Sequence, residues 1–330
     1  MNLLLADLQR EAAATGFPAE MLEKTLRLLS LLDALRSHPF LRTRVALKGG
    51  TALNLFVADV PRLSVDADLN YIGAVNREQM LADRPKVEQA IQAVCGREGL
   101  VVKRVPGDHA GGKWRLTYPA ASGRSGNLEL DANFLLRKPL WPTVIADSRQ
   151  VGSHQATQVP MLDLHELAAG KLAALVSRRA SRDVFDTREL LGHHALDRTK
   201  LRLGFVVYGA ANRKDWRSAS VDDVKLDAAE LRNQLLPTIR TPMLPPADRI
   251  TAWGDQLVSD CRDLLSAVLP LTPDEHEFIQ RLNDRGDIAP ELLTADSGMQ
   301  RVLREHPALR WKALNVKKHR GLPAEEEAGS

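Results

Sequence analysis

The sequence predicts an α+β fold: a mixed sheet flanked by helices, followed by a helical C-terminal portion. Three observations lead there. Short apolar strands alternate with amphipathic helices up to about residue 200. Two alternating runs, "KWRLTYPA" and "GNLELDANFLL", are joined by the Gly/Ser-rich "ASGRSG", the pattern of a hairpin. Beyond residue 200 only helical stretches remain, separated by Pro-rich breaks such as "TPMLPPADR" and "LPLTPDE". The expected division is therefore 1–200 and 201–330.

In chain order, residues 19–37 set leucines at helical spacing with charges between them, and His38-Pro39 ends that helix. "RVALK" reads as a short buried strand, Gly49-Gly50 as a turn, and "TALNLFVA" as a helix entered through Thr51. "SVDADLNYI" is a second strand, residues 76–98 a helix, and "GLVVKRVP" a third strand before the hairpin. "PMLDLHELAAGKLAALVSR" is a long helix, and another starts near Ser181. Helices follow at 201–212, 222–236, 247–269, 273–284 and 299–306, and "PAEEEAGS" closes the chain as a disordered tail.

Composition narrows the class. Hydrophobic residues are 44% and charged residues 26% of 330, the balance of a folded cytoplasmic protein. The two cysteines, Cys95 and Cys261, have no partner at metal-ligand spacing, which argues against a disulfide framework or a zinc site. "MNLLLADLQREAAATG" lacks the basic start of a signal peptide, and no apolar run approaches the roughly 18 residues of a membrane span. A formal +3 says little about partners, and the motifs carry no oligomeric signature.

The chemistry gathers in three stretches. In "SVDADLNYI", Asp66 and Asp68 share one strand face, about 7 Å apart, while Val65, Ala67 and Leu69 face the other way. Two carboxylates held side by side repel, and a divalent cation with hard-oxygen preference, Mg²⁺ or Mn²⁺, resolves the conflict. Upstream, a strand running through Gly49-Gly50 into a helix presents free backbone N–H groups and the positive end of the helix dipole, a seat for phosphate. Thr51 would add a hydroxyl and Lys48 a positive charge. In "NLELDANF", Glu129, Asp131 and Asn133 share a face. Asp131 is the expected third metal ligand and proton acceptor, with Glu129 in reserve. In "GKLAALVSRRASRDVFD", Lys171, Arg178 and Arg182 fall within about 40° on a regular helix, a basic stripe suited to clamping phosphates, with Asp183 orienting Lys171 or Arg182 or capping the next helix. Taken singly, each has a bland reading: a solvated edge pair, a tight turn, a polar hairpin face, a solvated helix face. Their order and spacing favour a site.

The set "LKGGTALNLF…RLSVDADL", "LELDANF" and "GKLAALVSRRASRDVFDTREL" resembles the AbiEii/MenT-type nucleotidyltransferase toxins, of the DNA polymerase β-like nucleotidyltransferase superfamily. The resemblance covers about residues 20–195 and extends more weakly to "HPALRWKALNVKKH". It implies a polymerase β-like core in 1–200, the catalytic domain, with 201–330 as a helical C-terminal domain. It implies that Lys48, Gly49, Gly50 and Thr51 hold triphosphate, and that Arg62, Ser64, Asp66 and Asp68 form the metal motif, with Ser64 facing the phosphates. Asp131 would be the following-strand aspartate, and Lys171, Arg182 and Asp183 the third motif. Two positions depart from the family pattern, Gly170 where many relatives are acidic and Ala67 where a larger aliphatic is usual; neither removes a reacting group.

The implied activity is transfer of a nucleoside monophosphate from an NTP to an RNA acceptor, the 3′ end of a tRNA, by a toxin neutralised by a cognate antitoxin. Asp66→Ala, Asp68→Ala or Lys171→Ala would then abolish transfer with the fold intact. Phosphorylation of Ser64 would place about two negative charges beside the metal carboxylates and block the triphosphate. Rival readings are transfer to a protein or small-molecule hydroxyl, a D-x-D glycosyltransferase, and a non-catalytic RNA- or partner-binding relic. The second leaves the Gly-Gly turn and the Lys171 helix unexplained, and the third sits badly with three retained carboxylates. The basic stretch "LREHPALRWKALNVKKHRG" favours RNA.

Overall fold

A seven-stranded sheet organises the chain, seen in a computed structural model that describes residues 3–105, 111–178 and 180–323. Two helices precede it, α1 (Leu5–Thr15) and α2 (Ala19–Ser37). Then come β1 (Val45–Lys48), a short helix α3 (Gly49–Ala52) that widens into a π-helical turn over Leu53–Val57, and β2 (Asp66–Tyr71). Helix α4 (Arg77–Arg97), β3 (Val101–Val105), β4 (Gly111–Pro119) and β5 (Ser125–Asn133) follow, then the short β6 (Val144–Ala146) and β7 (Val159–Met161). The strand order is β3-β4-β5-β2-β1-β7-β6. Strand β1 pairs antiparallel with β2 and parallel with β7, β2 runs parallel to β5, and β4 and β5 form the hairpin.

The expected strands and the hairpin are present, and the sheet is mixed. Alternation explains which face is buried. On β5, Leu128, Leu130 and Ala132 are buried while Glu129, Asp131 and Asn133 are not fully covered. Helix α2, with leucines buried along most of its length, packs across β2, β5 and β7 and against α4. Asn76 caps α4 by accepting from the Gln79 amide, which is why the helix begins one residue past the polar Asn.

The second half is helical, as expected, with one exception: α5 (Leu164–Ser177), α6 (Ser181–His193), α7 (Arg198–Ala210), a short α8 (Ala228–Glu230), α9 (Ile250–Leu264), α10 (Pro273–Arg285), α11 (Ser297–Arg304) and α12 (Pro307–Arg320). The helix expected over 222–236 is instead a 3-10 turn at Val221–Asp223, α8 and a π-helical turn at Leu231–Leu235. Helix α7 packs on α5, and α9 on α6. One apolar cluster runs from Leu8 to Ala313, so these helices share a core with the sheet.

Several elements depart from the sequence reading. Helix α1, ended by Gly16 in a left-handed conformation, was not anticipated, and neither was α12. Strands β6 and β7 have three residues each, too short for alternation to register. Pro160 and Met161, read as the start of a helix, belong to β7, and Asp163 caps α5 instead. The helix after the glycines begins at Gly49 rather than Thr51. The tail "PAEEEAGS" lies, from residue 324 onward, outside the described residues.

Candidate active site

Register brings the carboxylates together. On the paired strands Asp66 stands opposite Glu129 and Asp68 opposite Asp131. Directly opposed residues share a sheet face, so all four acids point the same way. Lys48 on β1 is opposite Asp68, and Lys113 on β4 is opposite Asp131. The acidic quartet is thus flanked by one lysine on each side. Lys113 Nζ reaches Glu129 at 2.6 Å.

The charge on this face is incompletely balanced. Burial pushes the Asp66 carboxyl up; Arg182 offsets this in part, while Asp68 and Glu129 add to it. Burial likewise raises Asp131, opposed by Lys48 and Lys113 and reinforced by Asp68 and Glu129. Among the described residues no three His, Cys, Asp or Glu side chains already enclose a single point. The donor set nevertheless fits a hard divalent cation: carboxylates crowded on adjacent strands, with Asp66 and Asp131 raised by burial and by their acidic neighbours, are the kind of arrangement that such an ion shares with substrate phosphates.

Gly49 forms the wall beside them. Its φ is +73°, and a Cβ there would collide with Asp68 Oδ2 and with the Asp68 Cβ and Cγ. Only glycine suits both the backbone and the neighbour. Gly50 is packed less tightly on the other side, where a Cβ would meet Arg62 Nη2 at 3.1 Å and Ser64 Oγ at 3.4 Å. The Gly50 carbonyl accepts from Asn54 Nδ2 at 2.9 Å, one helical turn on.

Behind the turn lies a buried ion network. Arg62, 2% exposed, donates Nε and Nη2 to the two oxygens of Asp186, each at 2.7 Å, and Nη1 to the Leu63 carbonyl. Lys171 Nζ lies 2.8 Å from both Asp183 and Asp186. Burial alone would lower the Lys171 ammonium, yet the two carboxylates outweigh it and hold it above its ordinary value. Burial works against Asp183 and Asp186 too, but their cationic partners keep both below the usual carboxylate range. Arg178 completes the network, with Nε 2.6 Å from Asp183.

The expected basic stripe is therefore not a stripe. Helix α5 stops at Ser177, Arg178 is extended at φ −139°, and α6 begins afresh at Ser181. The break turns Arg182 to Asp66, at 3.3 Å, while Lys171 and Arg178 converge on Asp183. Thr51 and Ser64 differ from expectation as well. Thr51 is fully buried; its Oγ1 donates to the Asp66 carbonyl at 2.5 Å and lies 2.9 Å from Ser64 Oγ, which is itself 5% exposed. These two hydroxyls tie α3 to β2 from inside. Lys48, Gly49, Asp66, Asp68 and Asp131 meet at the open face, whereas Arg62, Thr51, Ser64, Lys171 and Asp183 stand beneath or beside it.

Two residues of the network escaped the sequence reading. Asp186 follows Asp183 by three positions, so both lie on one face of α6, and that spacing was the available signal. Asn54 bridges the Gly50 carbonyl and Asp186 Oδ1, and its place four residues after Gly50 on one helix was a weaker signal.

No curated protein matches the chain. Among solved structures, MenT4, a nucleotidyltransferase toxin from Mycobacterium tuberculosis H37Rv, is similar at 19% identity and a TM-score of 0.59, with 94% of this chain and 99% of that one covered. That likeness establishes the fold, a mixed sheet with flanking helices and a helical C-terminal portion. The family model described as nucleotidyl transferase AbiEii toxin, type IV toxin–antitoxin system, matches residues 30–326. On that match the chain belongs to the AbiEii family of nucleotidyltransferase toxins.

Proposed function

We propose that this nucleotidyltransferase toxin moves a nucleoside monophosphate from an NTP to a hydroxyl at the 3′ end of an RNA, a tRNA in particular. The observation that carries the reading is the register that sets Asp66 and Asp68 against Glu129 and Asp131 beside the Gly49 wall. Asp66, Asp68 and Asp131 would hold Mg²⁺ or Mn²⁺, which supplies positive charge to the phosphates and to the developing negative charge when bound. Lys48 sits at the end of β1, and the first amides of α3 have no partner within the helix, so both would be available to a triphosphate tail. Asp131, its pKa raised by burial, accepts the proton of the attacking hydroxyl as the new bond to the α-phosphorus forms; pyrophosphate departs with the electrons of the bond that breaks. Arg62, Thr51 and Ser64 serve by fixing the turn from behind, and Asp183 and Asp186 by holding Lys171 in place.

Membership in the family implies a cognate antitoxin. No helix among the described residues is long and apolar enough to cross a membrane, and we place the reaction in the cytoplasm, where tRNA is found. Incubating the protein with mixed triphosphates, divalent metal and total RNA, then sequencing RNA 3′ ends, tests the proposal. Added nucleotides at tRNA ends that vanish in Asp68→Ala support it; label on protein or a small-molecule hydroxyl, with RNA untouched, sinks the acceptor assignment.

A further inference from the structure

Helix α12 carries a surface that the site at the sheet does not use. Between residues 297 and 322 seven lysines and arginines accompany one carboxylate, Glu305, a net +6; the whole chain is only +3, so the remainder is net acidic. On α12 itself Trp311 is 49% exposed and Leu314 37% exposed. Trp311, Leu314, Asn315 and Lys318 fall within about 100° of one another, one unpartnered helix face. Lys317 and Lys318 have no carboxylate within ion-pair distance among the described residues. A large aromatic open to solvent amid positive charge complements a ligand that is both anionic and flat.

The face also has a physical route to the active site. Lys312, next to Trp311, donates Nζ to the Asn212 carbonyl at 3.0 Å. Asn212 Nδ2 donates to Ser177 Oγ at 2.8 Å, and Ser177 is the last residue of α5. The next residue, Arg178, is bonded to Asp183, which holds Lys171. The exposed face, from Trp311 to Lys318, extends about 10 Å along the helix at 1.5 Å per residue, and this chain of hydrogen bonds connects its helix to the end of α5.

We infer that the Trp311 face of α12 binds the acceptor RNA, stacking a base on the indole while Lys317 and Lys318 neutralise backbone phosphates. This rests on the RNA-acceptor reading above but is tested by binding, which needs no transfer. The probe is a single-stranded RNA of mixed sequence, about twenty nucleotides long. Wild type binds it with quenching of tryptophan fluorescence. Trp311→Ala weakens binding about tenfold and removes most of the quench, and Trp311→Phe restores the affinity. Lys317→Gln with Lys318→Gln makes the negative slope of log K against log salt shallower by about 1.4. Equal affinity and equal slope in all variants overturn the inference. So does a shift from dimer to monomer in Trp311→Ala by light scattering, which would mean that a second copy covers the face. If wild type binds RNA in this way yet transfers no nucleotide to it, the acceptor reading fails and the α12 surface stands.

Discussion

Gly49 has φ +73°, and the space a side chain would take there is filled by the Asp68 carboxylate. Gly49→Ala forces a left-handed alanine and pushes Asp68 aside. It should cost about 1–2 kcal/mol from the backbone alone, read as a lower denaturant midpoint, together with weaker Mn²⁺ binding by calorimetry. A variant that binds the metal as tightly as wild type would show that Asp68 has no part in holding it. Lys171 calls for a different expectation than the sequence suggested. It is enclosed by Asp183 and Asp186 with Arg62 close by, so Lys171→Ala takes one of two cationic partners from each of two buried carboxylates. Arg178 stays on Asp183 and Arg62 on Asp186, and the loss is up to about 3–5 kcal/mol. Lost transfer in that variant would report unfolding as well as chemistry. Asp68→Ala, at a partly open position on the sheet face, should retain the wild-type melting midpoint to within a few degrees and lose transfer. Aspartates at alternate positions of a strand were legible from the chain, because a two-residue period needs no tertiary information.

Among the elements, α5 is fastened at both ends. At its start Glu166, 2% exposed, accepts from the Leu140 amide and from Tyr208 Oη, each at 3.0 Å, joining the segment after β5 to α7. Burial pushes the Glu166 carboxyl up to about 7, against an ordinary 4.5, despite these bonds. Because the folded state holds this proton more tightly than the unfolded chain, the contribution is full below about pH 4.5 and is lost as pH rises toward 7. Glu166→Gln should remove that loss. Denaturation midpoints across pH 4–8 should fall with pH in wild type relative to the variant, by up to about 3 kcal/mol. Parallel curves would mean that Glu166 stays charged in the fold. The break after α5 agrees with the reading of one helix ending at Arg178 and another starting near Ser181. Its effect on the basic stripe was beyond the sequence, because "VSRRASRD" has no Gly or Pro and the stripe assumed helical spacing through it. The helix stops because Arg178 and Lys171 are both drawn onto Asp183.

Across the whole molecule, the helical portion completes what the sheet begins. Helix α9 packs on α6 through Phe185 and Trp253, ring centroids 6.3 Å apart, and Cys261 Sγ donates to the Val184 carbonyl. Helix α6 in turn presents Arg182 to Asp66 and Asp186 to Arg62. A ligand seated on this assembly stabilises it by mass action. In the presence of divalent metal, the donor nucleotide at 100 times its dissociation constant should add about 2.7 kcal/mol, seen as a raised melting midpoint. The other triphosphates should move it less, and Asp68→Ala should abolish the shift. Equal shifts with all four nucleotides, retained in Asp68→Ala, would place binding away from the carboxylates.

The sequence by itself determined the sheet-forming segments, the shared face of each acidic pair and the glycine turn, since these follow from local periodicity and backbone freedom. Only the tertiary structure decided that Asp68 opposes Asp131 and that Lys171 is shared by Asp183 and Asp186. It also decided that Arg62, Thr51 and Ser64 brace the turn from within. Strand register and buried ion pairing join residues distant along the chain, and their energies depend on which neighbours exclude water, something that no local pattern encodes.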